Sequence, residues 1–141
     1  MKLSVHEALL RGRYSLERLK MAKKLGFEAL EIDGADLEKR AEKILEGVEK
    51  TGIAISAISA DFDKHLLEPD RAIRDEAIQH FRKLLEVSAQ FEGAGVLLIP
   101  ARGDSRMPDL SPYKTAEALE KELFQSLIEQ LANHGEKVAG T

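Results

Sequence analysis

Residues 95–104, GVLLIPARGD, join a continuous apolar run to a charged loop. The run from Val96 to Ile99 is apolar at every position, as expected for a parallel strand that is buried on both faces. Pro100 closes the run, and Arg102 and Asp104 follow it. Loops at the carboxyl ends of such strands carry the chemistry of α/β proteins. The stretch therefore predicts a buried strand that leads into a functional loop.

Outward from this strand, short apolar stretches alternate with amphipathic ones. Helices that alternate with strands imply right-handed crossovers and a parallel sheet. The order is therefore βα repeated four times, in a single α/β domain over residues 1–141. The predicted strands are 2–5, 28–32, 53–59 and 96–99, the predicted helices are 15–25, 37–51, 69–90 and 119–133, and residues 137–139 are expected to begin a fifth strand.

Turn residues mark the ends of several predicted helices. Ser15 is expected to cap the first helix, because a serine side chain can accept a hydrogen bond from a first-turn N–H group. Gly26 and Gly52 are expected to end the first and second helices in the left-handed conformation. Gly135 lies where the fourth helix is expected to end.

The composition excludes several classes of protein. The chain has 21 basic and 25 acidic residues, a net charge of −4, and no basic block, so a nucleic-acid footprint is not expected. Because there is no cysteine, disulfides and thiolate metal sites are excluded, and the cytoplasm is the simplest location. No apolar stretch reaches the roughly 18 residues of a membrane span, and the amino terminus lacks a secretory signal pattern.

Two segments resemble the sugar phosphate isomerase/epimerase family, the xylose-isomerase-like TIM barrels. LERLKMAKKLGFEALEID, residues 16–33, is similar to the first helix and second strand of that family. HLLEPDRAIRDEAIQHFRKLLEVSAQFEGAGVLLIPA, residues 65–101, is similar to its third helix and fourth strand. A TIM barrel has eight strands and about 250 residues, so the resemblance implies the amino-terminal (βα)4 half of a barrel.

The resemblance also implies a chemistry. Family members move a proton next to the carbonyl of a sugar or sugar phosphate that is held on a divalent metal such as Mn, Mg, Co or Zn. Their usual metal ligands and catalytic bases come from the later strands. The resemblance therefore implies that this chain supplies the substrate side of the site and lacks the family's usual metal ligands and catalytic bases. Its catalytic residues, if it has any, are unknown from the sequence.

Candidate site residues follow the predicted strands. If the strands are parallel, their carboxyl ends bring His6 with Glu7, and Glu31 with Asp33, to one edge, and Arg102 joins them from the last loop. We expect His6, Glu31, Asp33 and Arg102 to contact substrate. Arg102 could hold a phosphate or carboxylate bidentately. The alternatives are a carboxylate at the outer edge for Glu31 and a solvated loop for Arg102.

A metal site is predicted in the loop after the third strand. In the endonuclease-like branch of the superfamily a histidine near this position binds metal, and imidazole is a common metal ligand. His65 is therefore the candidate ligand, with Asp61 beside it. The alternative is an ordinary loop histidine.

Two other interpretations of the whole chain stay open. The first is a truncated, non-catalytic half-barrel, whose uncovered inner face would carry Val5, Leu30, Ile55 and Leu98 or their neighbours. Such a face would promote a homodimer or higher oligomer. The second is a binding module with an open, flavodoxin-like sheet, which requires helices on both faces.

Overall fold

The fold is described from a computed structural model. It describes residues 2–60, 66–92, 94–99 and 109–139. These form two compact units: residues up to 60 with 86–97 in the first, and 66–85 with 98–139 in the second. The prediction of a single domain over residues 1–141 stays a prediction.

The first unit contains a four-stranded parallel sheet whose strands lie side by side in their order along the chain. Strands and helices alternate along the described chain as predicted, with one 3-10 turn, Glu7–Leu9, after the first strand. The strands are β1 Ser4–His6, β2 Ala29–Asp33, β3 Ala54–Ser59 and β4 Gly95–Leu97, and the helices are α1 Ser15–Lys24, α2 Leu37–Thr51, α3 Arg71–Ser88 and α4 Ala116–Ala139.

The two faces of the sheet differ in chemistry. Because side chains alternate along a strand, Leu30 and Ile32 lie on one face of β2 and Glu31 lies on the other. Leu30, Ile32 and Ile58 are almost completely buried. Their face forms the core of the first unit with the buried sides of α1 and α2.

This arrangement corrects the expected inner face. Leu30 and Ile55 were expected on an uncovered surface, but they are 0% and 5% exposed. The physical reason is register. Val5, Leu30 and Ile55 are partners on three neighbouring strands, and they lie on the face that the sheet buries. The opposite face carries His6, Glu31 and Ser59, with Leu97 beside Ser59 on β4.

Helices α1 and α2 approach closely at Gly47. A Cβ atom at this position would lie 2.5 Å from Cδ1 of Leu19, which is fully buried. Only glycine allows that approach without displacing a packed side chain. Gly52 then ends α2 with φ 73°, the left-handed conformation predicted for it.

The start of α1 differs from the prediction. Ser15 is the first residue of the helix, and Tyr14 occupies the capping position without a side-chain hydrogen bond. Glu17 instead accepts a hydrogen bond from the backbone N–H of Arg13 at 2.7 Å. A carboxylate in the first helical turn therefore organises the segment that enters α1.

Strand β4 is shorter and more exposed than its apolar sequence predicts. It covers Gly95–Leu97, and Leu97 and Ile99 are 51% and 47% exposed. The prediction of burial on both faces is therefore wrong for the described chain. The strand lies at an edge of the described sheet, where only β3 pairs with it.

The predicted start of a fifth strand is also wrong. Helix α4 continues to Ala139, so residues 137–139 are helical, and Gly135 lies inside the helix. A glycine inside a helix costs only about 1 kcal/mol relative to alanine. Gly135 faces Leu85, to which a Cβ atom would make an ordinary contact of 3.8 Å. Within the described ranges, no helix is long and apolar enough to cross a membrane.

Candidate functional site

Three polar side chains lie on one face of the sheet near the carboxyl ends of β1, β2 and β3. They are His6, Glu31 and Ser59, which we call the strand-end cluster. His6 and Ser59 are the last residues of β1 and β3, and Glu31 lies two residues before the end of β2. His6 and Glu31 are register partners on neighbouring strands, and neighbouring strands lie about 4.8 Å apart. All three residues are partly exposed. The cluster therefore combines polar groups with access to solvent.

His6 links the end of β1 to the following 3-10 turn. Its Nδ1 atom accepts a hydrogen bond from the backbone N–H of Ala8 at 3.2 Å. An imidazole nitrogen that accepts cannot carry a proton, so this geometry assigns the proton of the neutral ring to Nε2. His6 can thus donate one hydrogen bond from Nε2.

Among the described residues, Glu31 is hydrogen-bonded by Ser59. The Ser59 hydroxyl donates to its Oε1 atom, and this contact bridges β2 and β3. A carboxylate accepts several hydrogen bonds, so Glu31 keeps accepting capacity. The Nε2–H donor of neutral His6 beside the carboxylate of Glu31 is suited to recognising two neighbouring hydroxyl groups of a ligand.

Asp33 has a structural contact at the end of β2. Its Oδ1 atom accepts a hydrogen bond from the N–H of Ala35 at 2.9 Å, which forms a tight turn. The Gly34 N–H donates to the carbonyl of Ser59 at 2.8 Å, so the same turn is tied to β3. The predicted contact between Asp33 and substrate stays a prediction.

Glu7 follows β1 at the predicted edge of the sheet, but its side chain is buried there. Its side chain is 1% exposed. Arg18 donates to it at 2.8 Å, Arg40 at 2.6 Å and the backbone N–H of Asp33 at 2.8 Å. We call Glu7, Arg18 and Arg40 the ionic cluster. It ties the segment after β1 to α1, α2 and the end of β2.

Electrostatics favour the ionised form of Glu7. Burial by itself would raise the pKa of its carboxyl group. The hydrogen bonds from Arg40, from the Asp33 N–H and from Arg18 outweigh burial, and the pKa of Glu7 falls below its ordinary value of 4.5. The sequence offered only a weak signal for this role, because a glutamate after a strand equally suits an exposed site.

The remaining predicted site residues lie outside the described residues. This applies to Asp61, His65 and Arg102. In the described part of the chain, no three or more His, Cys, Asp or Glu side chains are grouped so that they could hold a metal ion.

Comparison with known proteins identifies relatives. The chain is 25% identical over 121 residues to 3-dehydro-D-guloside 4-epimerase of Escherichia coli (strain K12). The alignment covers 83% of this chain and 46% of that protein. The crystal structure of the apo form of 3-keto-D-glucoside 4-epimerase from E. coli matches with a TM-score of 0.76 at 21% identity, over 96% of this chain and 53% of that one.

A second solved structure shows the same fold. It is D-psicose 3-epimerase with D-tagatose from Clostridium cellulolyticum H10, with a TM-score of 0.72 at 19% identity over 99% of this chain and 50% of that one. The chain thus spans about half the length of these relatives. The sequence model described as "xylose isomerase-like TIM barrel" matches residues 19–139. The chain therefore belongs to the xylose isomerase-like TIM barrel family.

Proposed function

We propose that this chain is the substrate-binding half of a sugar isomerase or epimerase that transfers a proton next to a carbonyl group. The observation that carries the proposal is the strand-end cluster in a chain of this family. In α/β barrels, ligands bind at the carboxyl ends of the strands. The curated relative and both solved structures are named as sugar epimerases.

The cluster residues have distinct roles in this proposal. His6 donates from Nε2 to one sugar oxygen, since its Nδ1 is occupied by the Ala8 N–H. Glu31 accepts from a neighbouring hydroxyl group and is held in place by Ser59. Together they fix the orientation of the sugar ring or chain, which is the main contribution of substrate-positioning residues to rate.

The acid–base groups, and metal ligands other than Asp61 and His65, are proposed to come from the later strands of the family fold. A divalent metal supplies charge stabilisation at the carbonyl oxygen when it is bound. Asp61 and His65 remain the proposed contribution of this chain to the metal. Arg102 and Asp33 remain proposed substrate contacts, with Arg102 suited to a phosphate group.

Sugar binding, measured beside hydrogen exchange, provides the test. The protein is incubated in D₂O with Mn²⁺ and separately with D-psicose, D-tagatose and D-fructose, and NMR measures deuterium at the carbon next to the carbonyl. Saturation-transfer NMR measures sugar binding in the same samples, so binding is detected even where no exchange occurs. We expect binding of at least one sugar to weaken about tenfold in His6→Ala and in Glu31→Gln, the effect of losing a hydrogen bond that involves a charged or well-oriented partner.

Glu49→Gln is the matched control, because Glu49 is an exposed glutamate on α2, away from the cluster. It should bind sugar like the unaltered protein. Equal binding by Glu31→Gln and Glu49→Gln would contradict the proposed role of Glu31. Absence of both binding and exchange with every sugar would contradict the proposed function.

Self-association is a second candidate property. Strands β1 and β4 lie at the two edges of the described sheet, and the exposed side chain of Leu97 lies on β4. Exposed edges with apolar side chains promote pairing between chains. Light scattering at micromolar concentration should show a dimer or higher oligomer, which Leu97→Lys should dissociate. A monomeric unaltered protein would contradict this candidate.

A further inference from the structure

A groove of about 730 Å³ lies along α1 and α2. Residues from both helices and from the segment before α1 line it, and no described strand contributes. The groove therefore shares no lining residue with the strand-end cluster. Leu16 and Gly47 supply part of an apolar floor where the two helices meet.

Positive charge dominates the lining. Six basic side chains line the groove, against two acidic ones, Glu17 and Glu46. The whole chain has a net charge of −4, so this surplus is local. The basic residues are Arg13, Arg18, Lys39, Arg40, Lys43 and Lys50.

Two of these residues are held in fixed positions. Arg18 and Arg40 both bind the buried carboxylate of Glu7, at 2.8 Å and 2.6 Å. One carboxylate balances only one of the two guanidinium charges. The arginine side chains remain 28% and 27% exposed. Arg40 also donates to the carbonyls of Asp33 and Ala35, and Arg18 to that of Gly12, so both are anchored. A guanidinium has five N–H donors, so Arg18 keeps the larger share of its donors for a ligand. The ionic cluster thus presents a preorganised positive charge to the groove.

Four other basic residues line the groove, and two of them form ion pairs with carboxylates. Lys39 and Lys50 form ion pairs with Asp36 and Glu46. Among the residues that the structure describes, no ion pair involves Arg13 or Lys43. The Arg13 guanidinium lies 5.6 Å from the centre of the Tyr14 ring.

From these contacts we propose that the groove binds the phosphate group of a small phosphorylated molecule. A planar guanidinium matches phosphate geometry, and a lysine adds a point charge. The rigid pair Arg18 and Arg40 forms the base of the site, while Arg13 and Lys43 close over the anion. This site is separate from the proposed sugar site and does not rest on the sugar chemistry.

NMR titration at low ionic strength tests the proposal. The probes are inorganic phosphate, D-fructose 6-phosphate and, as the uncharged comparison, D-fructose. We expect saturable shifts of the backbone amides of the groove residues with both phosphates and none there with D-fructose. Tighter binding of D-fructose 6-phosphate would identify an organic phosphate as the ligand, and equal binding would identify free phosphate.

The double variant Arg13→Ala/Lys43→Ala should raise the Kd for phosphate at least tenfold, because two charge-assisted contacts are lost. The side chains of Arg13 and Lys43 are both exposed. Lys43→Gln alone provides a milder second variant. Lys20→Ala is the matched control, since Lys20 is an exposed lysine of α1 outside the groove. An unchanged Kd in the double variant, an equal loss in Lys20→Ala, or no saturable shift with either phosphate would overturn the proposal.

Discussion

The two neighbouring residues at the end of β1 belong to two very different polar clusters. Glu7 lies in the ionic cluster, buried and bound by Arg18, Arg40 and the Asp33 N–H. His6 lies in the strand-end cluster and is partly exposed, and its Nδ1 atom accepts a hydrogen bond from the Ala8 N–H. In the ionic cluster the carboxylate of Glu7 accepts hydrogen bonds from three donor groups. In the strand-end cluster, His6 can still donate from Nε2 and Glu31 can accept further hydrogen bonds.

The difference separates stability from recognition. A buried charge whose partners are removed is strongly destabilising. A partly exposed polar group can lose its ligand-binding function at little cost to the fold. Substitution of the two glutamates should therefore change different properties. Substitution of Glu7 should lower the free energy of unfolding, and substitution of Glu31 should weaken ligand binding.

The largest effect is expected for Glu7→Ala. It leaves two guanidinium groups and one backbone N–H without their carboxylate, and it should lower the free energy of unfolding by about 3 kcal/mol. This figure is at the low end of the range for buried pairs because both arginines keep some solvent exposure. Urea denaturation measures the change. Glu42→Ala, an exposed glutamate of α2, is the control, and an equal loss there would remove the distinction between the two kinds of glutamate.

A smaller effect, with a characteristic pH dependence, is expected for Glu7→Gln. At pH 7 this variant should be about 2 kcal/mol less stable, since hydrogen bonds to a charged group are lost. The pKa of Glu7 is lowered in the folded state, so its stabilisation is fully present above the ordinary value of 4.5. It is lost as the pH falls through the folded-state pKa. Urea denaturation at several pH values measures the difference in the free energy of unfolding between the unaltered protein and Glu7→Gln. This difference should become smaller below pH 4.5. A difference that does not change with pH would contradict the ionised state of Glu7.

The two arginines of the ionic cluster should differ from one another. Arg40 contacts both carboxylate oxygens of Glu7, whereas Arg18 contacts one. We expect Arg40→Ala to cost about 2 kcal/mol and Arg18→Ala about 1 kcal/mol, in line with the number of charged hydrogen bonds lost. Thermal and urea unfolding of both variants would test the order, and a larger loss in Arg18→Ala would contradict it.

The smallest effect on stability is expected for Glu31→Gln. The substitution keeps the shape of the side chain and an oxygen that can accept from Ser59. The free energy of unfolding should change by no more than about 0.5 kcal/mol, while sugar binding weakens as described above. A loss of stability similar to that of Glu7→Gln would show that the strand-end cluster also holds the fold together.

Local sequence patterns predicted most of the secondary structure. The stripe Leu37, Ala41 and Ile44 predicted α2, and Gly52 predicted its end. The alternation of helices and strands predicted the parallel order of the sheet. The resemblance to the xylose-isomerase-like barrels is confirmed by the family match over residues 19–139.

The errors occurred where tertiary contacts outweigh local signals. Gly135 suggested a helix end, but α4 continues past it to Ala139. The apolar run at Val96 suggested complete burial, but β4 has one neighbour in the described sheet. Periodicity also did not show which face of β2 is buried, because Leu30 and Glu31 alternate equally well on either side.

By itself, the sequence determined the order of the βα units, the family and the positions of polar residues at the ends of strands. These depend on local periodicity, turn residues and adjacency along the chain. Only the tertiary structure decided that His6 and Glu31 are register partners, while Glu7 is buried between Arg18 and Arg40. The reason is that burial and ion pairing depend on which helices pack beside a residue, and segments distant in sequence supply those neighbours.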